Sequence, residues 1–253
     1  MVTTSWTDLA AETWDDLGGD EVQEDIAWFR ALLAGRGGRA LDVGCGTGRL
    51  LVRFLTEGLD VDGIDTSADM LELCRAKARR AGHDPRLYEQ AMEALDLPDR
   101  YDTIFVTCGS FMLLLDDASA LTTLRRFREH LAPGGLVALN LFGPFAAPEL
   151  ELGRWQRRAE ATRPDGTRVA MDVVTDRHDP ATRVIEARRR YTVTPPDGPA
   201  REQLLVDRYR WSTPEDVARL LEAAGYGEHE ALGGYTDQPF TPDHRVLVVK
   251  ASV

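Results

Sequence analysis

The stretch LDVGCGTG, residues 41–48, places glycines at positions 44, 46 and 48 directly after an apolar run. Glycine loses more conformational freedom on folding than any other residue, so this density indicates a backbone that turns sharply or approaches a ligand closely. Residues 39–43 are typical of a buried strand, and apolar residues at helical spacing follow from Leu50 to Leu55. A glycine-rich turn between a strand and a helix is typical of a nucleotide-binding site, because it presents backbone N–H groups and the helix N-terminus to the ligand.

Strand-like and helix-like segments alternate along most of the chain, which predicts an α/β fold whose parallel sheet is covered by helices on both faces. We therefore expect a Rossmann-like doubly wound sheet, mostly parallel, with an antiparallel last strand. The predicted helices are residues 20–34 (with Val22 on the apolar face), 50–58, 67–80, 118–131 and 213–225. The predicted strands are residues 39–43, 61–65, 101–107, 136–142 and 246–250.

The alternation is interrupted after Gly143. Turn signals at residues 164–166, 179–182 and 195–199 separate strand-like runs, which predicts an antiparallel β-meander of three or four strands. Residues 151–211 contain 13 arginines and 10 acidic residues, a local positive excess in an acidic chain. We expect three parts: a helical cap at 1–39, a core formed by 40–142 and 212–253, and an inserted β-meander at 143–211. We expect the meander to serve as substrate lid, dimer interface or both.

The composition narrows the class of protein. The chain has 253 residues, 43% of them hydrophobic, and a net charge of −12. Nucleic-acid-binding proteins normally present a basic face, so we expect no nucleic-acid partner. No apolar run approaches the roughly 20 residues of a membrane helix, and the start lacks the pattern of a signal peptide, so we expect no membrane partner. Cys45, Cys74 and Cys108 form no paired motif, which predicts a reduced, cytoplasmic protein.

Two acidic residues narrow the chemical class of ligand that the glycine loop could bind. The dinucleotide fingerprint requires a third glycine where this chain has Arg49, and no Gly-Lys-Ser/Thr follows to make a P-loop. Asp42 precedes the loop and suits a positively charged group such as an α-amino group. Asp65, at the end of the next predicted strand, is placed to accept hydrogen bonds from two ribose hydroxyls. The pair favours a cationic nucleoside over a pyrophosphate, which carboxylates would repel.

Three segments resemble the class I S-adenosylmethionine-dependent methyltransferases: LDVGCGTG, VDGIDTSADML (61–71) and LAPGGLVALN (131–140). The resemblance covers residues 40–142 well and 212–253 moderately. It implies S-adenosyl-L-methionine as cofactor and S-adenosyl-L-homocysteine as product. Together with Asp42, the candidate cofactor-binding residues are then Trp14, Gly44, Cys45, Gly46, Gly48, Asp65, Thr66, Met70, Ala91, Met92, Thr107 and Cys108.

The chain departs from the pattern of that family in two places. Ala91 stands where many members have an aspartate that accepts from the adenine amino group, so adenine would be recognised by backbone, by packing on Met92, or by Gln90. In WTDLAAETWDD, which resembles a segment that caps the cofactor, Trp6 and Trp14 replace tyrosines. Trp14 would pack over the sulfonium through a cation–π contact worth about 0.5–2 kcal/mol.

These features predict a small-molecule methyltransferase that acts by in-line displacement, mainly by positioning the acceptor. N- and O-methylation both stay open, as do two alternatives: a non-catalytic S-adenosylmethionine-binding or regulatory protein and, less favoured, an NAD-dependent oxidoreductase. The arginines of the insertion favour an anionic acceptor, and a homodimer through the insertion is a further expectation. No clear set of metal ligands is present. The candidate catalytic residues are His178, Tyr191, Tyr209, Arg210 and His244.

Overall fold

The computed structural model describes residues 2–3, 5–17, 23–145 and 150–253. Val22, on the apolar face of the predicted helix 20–34, lies outside the described residues. Within them, no helix combines the length and apolar character needed to span a membrane. The helices are α1 (Leu9–Glu12), α2 (Gln23–Arg36), α3 (Leu51–Thr56), α4 (Ala68–Arg80), α5 (Asp117–His130) and α6 (Pro214–Ala224). The strands are β1 (Val2–Thr3), β2 (Arg39–Val43), β3 (Asp60–Asp65), β4 (Leu87–Glu89), β5 (Tyr101–Val106), β6 (Leu131–Phe142), β7 (Gln156–Thr162), β8 (Arg168–Asp179), β9 (Val184–Thr194), β10 (Arg201–Arg210), β11 (His229–Gly233) and β12 (Val246–Ser252).

The larger sheet has seven strands in the described part of the chain, in the order β11-β12-β6-β5-β2-β3-β4. The strands from β4 to β6 run parallel, β12 runs antiparallel to β6, and β11 runs antiparallel to β12. The predicted doubly wound, mostly parallel sheet with an antiparallel last strand is therefore confirmed. The sequence does not predict β4 and β11, because runs of three and five residues carry little periodicity.

Helices cover both faces of this sheet, as its central strand β5 illustrates. Ile104 and Phe105 are neighbours in β5 and therefore point to opposite faces. Ile104 belongs to the core that includes Phe127 of α5, whereas Phe105 packs against Phe29 of α2 and Phe54 of α3, with ring centroids 5.6 and 6.2 Å apart. All five side chains are fully buried, so both faces of the sheet are closed to water.

The second sheet has the strand order β1-β10-β9-β8-β7. Its strands β7 to β10 form antiparallel pairs, each with the next in sequence, which confirms the predicted meander. Strand β1 adds to the edge of the meander parallel to β10, with Val2 opposite Leu204. That pairing joins segments about 200 residues apart, so no local pattern predicts it.

Most helix ends follow from local sequence. The Ser67 hydroxyl accepts a hydrogen bond from the Met70 N–H at the start of α4, as expected of an N-cap. Thr213 and Asp216 form a reciprocal capping box at the start of α6. The boundary between α5 and β6 differs from the predicted one. The helix ends at His130, and the strand begins at Leu131 and not at residue 136 as predicted. Pro133 and its two following glycines lie in an irregularity of that strand, between its pairings with Tyr101 and Thr103 of β5.

Residues 5–17, the N-terminal segment, connect the two sheets. Leu9 is buried with Tyr191 and Leu205 on the second sheet, and the Ala10 N–H donates to Oε1 of Gln203 at 2.9 Å. On the other side, the Ser67 hydroxyl donates to the Trp6 carbonyl at 2.6 Å. The N-terminal segment therefore spans the gap between the larger sheet and the meander.

Gly48 lies where α3 and α4 approach each other. Its φ is +81°, in the left-handed region that favours glycine. A Cβ atom there would lie 2.6 Å from the Cys74 Sγ and 2.9 Å from a methyl carbon of Val52. The bare backbone is therefore required by packing as well as by conformation.

We expect Gly48→Ala to lower the free energy of unfolding by about 1–3 kcal/mol more than Gly58→Ala, because only the first adds a steric clash. Gly58 is a matched control, since its φ is +85° and a Cβ there meets no atom within 4 Å. Urea denaturation of both variants measures the difference. Equal losses of stability would contradict the packing role of Gly48.

Candidate active site

A cavity of about 600 Å³ lies at the carboxyl ends of β2, β3 and β5, where open α/β sheets bind their ligands. The N-terminal segment and strands β9 and β10 of the second sheet form its opposite wall. Such a volume suits a small-molecule site. The wall contains most of the candidate cofactor-binding residues, namely Trp14, Asp42, Gly44, Cys45, Gly46, Asp65, Thr66, Met70, Ala91, Met92, Thr107 and Cys108. Gly48 is not in the wall, because it faces the packed side chains of Val52 and Cys74.

The glycine loop presents bare backbone to the cavity. The N–H groups of Gly44 and Cys45 both donate to the carbonyl of Ile64, at 2.8 and 2.9 Å, which ties the loop to the end of β3. Gly44 has a φ of +72°, and a Cβ there would lie 2.8 Å from the Ser110 hydroxyl. Gly46 has a φ of +54°, and only the Met70 sulfur lies within 4.0 Å of a Cβ built on it. A ligand can therefore approach the main chain at Gly46.

Asp65 holds the loop to the start of α4. One carboxylate oxygen accepts from the Gly46 N–H at 2.9 Å, and the other accepts from the Ser67 N–H at 2.8 Å. Burial raises the pKa of this carboxyl, and the backbone hydrogen bonds oppose that effect. Each carboxylate oxygen can accept a second hydrogen bond, so Asp65 retains acceptor capacity toward the cavity.

Asp42 is a buried carboxylate without full compensation. It is 1% exposed, and its Oδ1 has no hydrogen-bond partner. Burial raises its pKa to about 8, although the Arg49 guanidinium acts in the opposite direction. Near neutral pH the buried carboxyl is therefore mostly protonated in the empty protein, and a ligand that carries a positive charge would favour its ionised form.

Arg49 forms its ion pair with Asp25 and not with Asp42. Its guanidinium makes two contacts with Asp25 of α2, the Nη1–Oδ1 distance being 3.0 Å, and both side chains are buried. Its Nη2 also lies 3.4 Å from the Sγ of Cys108, whose φ of +54° is rare for a residue with a Cβ. In the sequence Arg49 only interrupts a glycine pattern, and the structure adds that it joins α2 to the cavity.

The segment after β4 contains the residues that the sequence analysis considers for adenine recognition. The Gln90 side chain exchanges two hydrogen bonds with the backbone of Asp96, at 3.1 and 3.0 Å. Each of the two amide atoms keeps one further donor or lone pair. Gln90, Ala91 and Met92 all lie in the cavity wall, so the three expected modes of adenine recognition stay predictions.

The wall facing the glycine loop contains residues that sequence reasoning missed or left aside. Trp6 meets Trp14 edge-to-face, with ring centroids 5.0 Å apart, and the Arg189 guanidinium carbon lies 5.6 Å from the Trp6 ring centroid. Asp207 accepts from Arg189, and Tyr209 follows two residues later on β10. The run of three arginines at 188–190 was the available signal, because alternation along a strand turns its middle residue away from the other two.

Of the five candidate catalytic residues, only Tyr209 lies in the cavity wall. Tyr191 is buried in the core under Trp6. The other three are engaged with neighbours outside the wall: His178 with Trp211, Arg210 with Asp117, and His244 with Thr241. His178 and Arg210 lie on strands that direct them away from the cavity, and His244 precedes β12, so the placement favours Tyr209 alone. Among the described residues, no group of three His, Cys, Asp or Glu side chains could hold a metal ion.

The arginines of the meander do not form a free basic surface. Arg188, for example, makes two hydrogen bonds to Asp176, and Arg190 donates to Asp172. Other arginines of residues 151–211 that pair with a carboxylate are Arg154, Arg157, Arg163, Arg177, Arg183, Arg189, Arg201, Arg208 and Arg210. The positive excess of this segment therefore gives little support to an anionic acceptor.

Residues 40–135 match a family model described as a methyltransferase domain. The chain is similar to the glycine/sarcosine N-methyltransferase of Halorhodospira halochloris, with 33% identity over 143 residues, which are 54% of this chain and 53% of the relative. It is also similar to the dTDP-3-amino-3,6-dideoxy-alpha-D-glucopyranose N,N-dimethyltransferase of Streptomyces fradiae, with 28% identity over 219 residues, 85% of this chain and 82% of the relative.

The fold as a whole is also found in a solved structure. The S-adenosylmethionine-dependent methyltransferase from Clostridium acetobutylicum ATCC 824 superposes with a TM-score of 0.79 at 17% identity, over 96% of this chain and 97% of that chain. The chain spans about half the length of several curated relatives that it matches, 43%, 49% and 53% for those of Geobacillus sp. (strain WCH70), Bacillus subtilis (strain 168) and H. halochloris. The methyltransferase domain, these relatives and the shared fold support a class I S-adenosylmethionine-dependent methyltransferase.

Proposed function

We propose that this protein transfers a methyl group from S-adenosylmethionine to an amino group of a small-molecule acceptor. The observation that carries the proposal is the unpaired, buried carboxylate of Asp42 beside the bare glycine loop. Such a carboxylate suits a cationic ligand and repels a phosphate. The names of the H. halochloris and S. fradiae relatives, an N-methyltransferase and an N,N-dimethyltransferase, support nitrogen as the acceptor atom.

The absence of a histidine from the described cavity wall also supports nitrogen. A neutral amine attacks through its own lone pair, whereas an alcohol benefits from a general base. Tyr209 is in the wall, but burial raises the pKa of its phenol, so the hydroxyl stays protonated at neutral pH. The wall therefore offers positioning rather than strong base catalysis.

The residues of the wall fit S-adenosylmethionine part by part. Asp42 would hold the α-amino group, and the open backbone at Gly46 would admit the methionine portion. Asp65 would accept from the ribose hydroxyls through its remaining lone pairs. Ala91 and Met92 would flank the adenine. Bound in this way, the cofactor supplies a methyl group already activated by a sulfonium.

The N-terminal segment would keep water from the reacting groups. Asp15 is bonded to Thr47 and Lys77 of the core, each at 2.7 Å, and Arg163 of the meander lies 2.7 Å from Asp16. These contacts hold Trp6 and Trp14 over the cavity. Excluding water strengthens electrostatic interactions and holds the acceptor in line with the methyl group.

The remaining expectations about the whole protein also belong to this proposal. The meander at 143–211 would enclose the acceptor, which the presence of Arg189, Asp207 and Tyr209 in the cavity wall supports. A cytoplasmic location is supported by the free thiols of the three cysteines. Association into a homodimer through the meander and the division into cap, core and insertion stay predictions.

Turnover separates this proposal from its alternatives. We expect S-adenosylhomocysteine, and not NAD, to raise the melting temperature of the protein. We also expect S-adenosylhomocysteine to form when the protein is incubated with S-adenosylmethionine and a panel of small amines. Binding without product across such a panel would favour a non-catalytic regulatory protein.

We expect Asp65→Asn to weaken S-adenosylmethionine binding by about tenfold or more, because a charged acceptor for the ribose hydroxyls is lost. Calorimetry with S-adenosylmethionine and S-adenosylhomocysteine measures the effect. Asp60→Asn is the control, since Asp60 lies on the same strand but is exposed and pairs with Arg39. Unchanged affinity in Asp65→Asn would rule out the proposed role of Asp65.

We expect Asp42→Asn to stabilise the ligand-free protein by about 1–3 kcal/mol at pH 8 while weakening cofactor binding. The folded-state pKa of Asp42 is raised to about 8, so its contribution disfavours the folded state increasingly as pH rises from about 4 to 8. The variant removes that loss. Urea denaturation of both proteins at pH 5 and pH 8 measures it, and an equal change with pH in the two proteins would contradict the assignment.

A further inference from the structure

The inner face of the second sheet changes character where it meets the cavity. Along β9 and β10, Tyr191, Val193 and Leu205 are buried in an apolar core beneath the N-terminal segment. Arg189 and Asp207 lie on the same inner face but in the cavity wall. Apolar residues would stabilise a purely structural interface at least as well as a buried ion pair does, because desolvating two charges is costly. This pair therefore indicates a polar ligand.

The geometry of the pair leaves one oxygen of Asp207 free. Nε and Nη2 of Arg189 both lie 2.8 Å from the same oxygen, Oδ2. The other oxygen, Oδ1, has no hydrogen-bond partner among the described residues. Asp207 lies in the cavity wall, and its side chain is 6% exposed. Arg189 thus fixes the orientation of the carboxylate without using its full acceptor capacity.

The groups around this oxygen suit a cation. Tyr209 faces the same side of β10 as Asp207, because the two residues are separated by one position. Trp6 already holds a cation over its ring, the Arg189 guanidinium at 5.6 Å, and its edge contacts Trp14. Carboxylates and aromatic faces together are the usual environment for an ammonium group.

The charge of the whole wall favours the same class of ligand. Burial favours the protonated form of Asp42, which leaves Asp65, Glu93 and Asp207 as the carboxylates of the wall, and its guanidinium groups are Arg49 and Arg189. Arg49 is in addition paired with Asp25, which lies outside the wall. The excess of negative charge raises the local concentration of cations and opposes anions. This differs from the sequence-based expectation of an anionic acceptor, which counted arginines without their partners.

We propose that Asp207 Oδ1, with Tyr209 and Trp6, forms the subsite that binds the amino group of the acceptor as an ammonium. Before transfer the ammonium gives one proton to Asp207 Oδ1, and the freed nitrogen lone pair then forms the bond to the methyl carbon as the bond from that carbon to sulfur breaks. The subsite selects amines over carboxylates and phosphates, and Arg189 acts as its positioning residue. The apolar body of the acceptor lies against Leu113 and Phe142, two cavity-wall side chains that are 45% and 38% exposed. The assignment rests on the proposed function, since it identifies the acceptor class of that same site.

The wild-type protein tests the subsite through three probes of equal size. Cyclohexylmethylamine, cyclohexylmethanol and cyclohexanecarboxylate are titrated at pH 7.5 into protein saturated with S-adenosylhomocysteine. We expect the amine to bind about 10- to 100-fold more tightly than the carboxylate, as hydrogen bonds to charged groups require, with the alcohol between them. Equal binding, tighter binding of the carboxylate, or no binding of any probe overturns the subsite.

Asp207→Asn tests the residue itself. We expect the preference for the amine over the carboxylate to fall below about threefold, while the affinity for S-adenosylhomocysteine stays within about twofold of wild type. Asp176→Asn is the matched control, because Asp176 accepts two hydrogen bonds from Arg188 and lies outside the cavity wall. A preference that survives in Asp207→Asn, with its melting temperature near that of wild type, overturns the assignment.

The two levels of the proposal fail in different ways. A wild-type protein that does not bind S-adenosylhomocysteine contradicts the proposed function. A protein that binds it but does not prefer the amine contradicts only the subsite. Because the comparison of the three probes uses the wild-type chain, the subsite stays testable even if Asp207→Asn fails to fold.

Discussion

The buried ion pair between Arg49 and Asp25 determines the electrostatics of the cavity. It attaches α2 to the end of the glycine loop, and it engages a guanidinium that also acts on Asp42. One oxygen of Asp42 has no hydrogen-bond partner, and burial raises the pKa of its carboxyl to about 8. The protein thus carries an unfavourable group at the position where a cationic ligand would compensate it. Asp42 lowers the stability of the ligand-free protein, and binding of a cationic ligand would recover that free energy.

The rest of the fold completes that cavity. The parallel sheet brings the ends of β2, β3 and β5 to one edge, and the meander adds a wall that no βα unit supplies. The N-terminal segment joins the two, since Trp6 is bonded through its carbonyl to Ser67 and stacks its ring near Arg189. One side chain therefore lies between the half of the cavity assigned to the cofactor and the half assigned to the acceptor.

The two halves use carboxylates differently. Asp65 is oriented by backbone N–H groups of the loop and α4, whereas Asp207 is oriented by a guanidinium on the neighbouring strand. Both retain lone pairs, so both can bind a donor without rearrangement. Methyl transfer from S-adenosylmethionine needs little more than orientation and water exclusion, because the methyl donor is already activated. An amine acceptor, steered by negative charge, fits such a site.

The sequence by itself determined the strand–loop–helix order, the glycine loop, the helices that begin near Ser67 and Thr213 and the existence of the meander. Each of these depends on residues within about ten positions of one another, so local pattern suffices. Only the tertiary structure decided that Arg49 pairs with Asp25, that the Gln90 amide bonds to the backbone of Asp96, and that Arg189, rather than Arg188 or Arg190, faces the cavity. Tyr191 and His178 lie in the same meander but point elsewhere. Strand register and the packing of distant segments decide which side chains meet, and no local pattern encodes them.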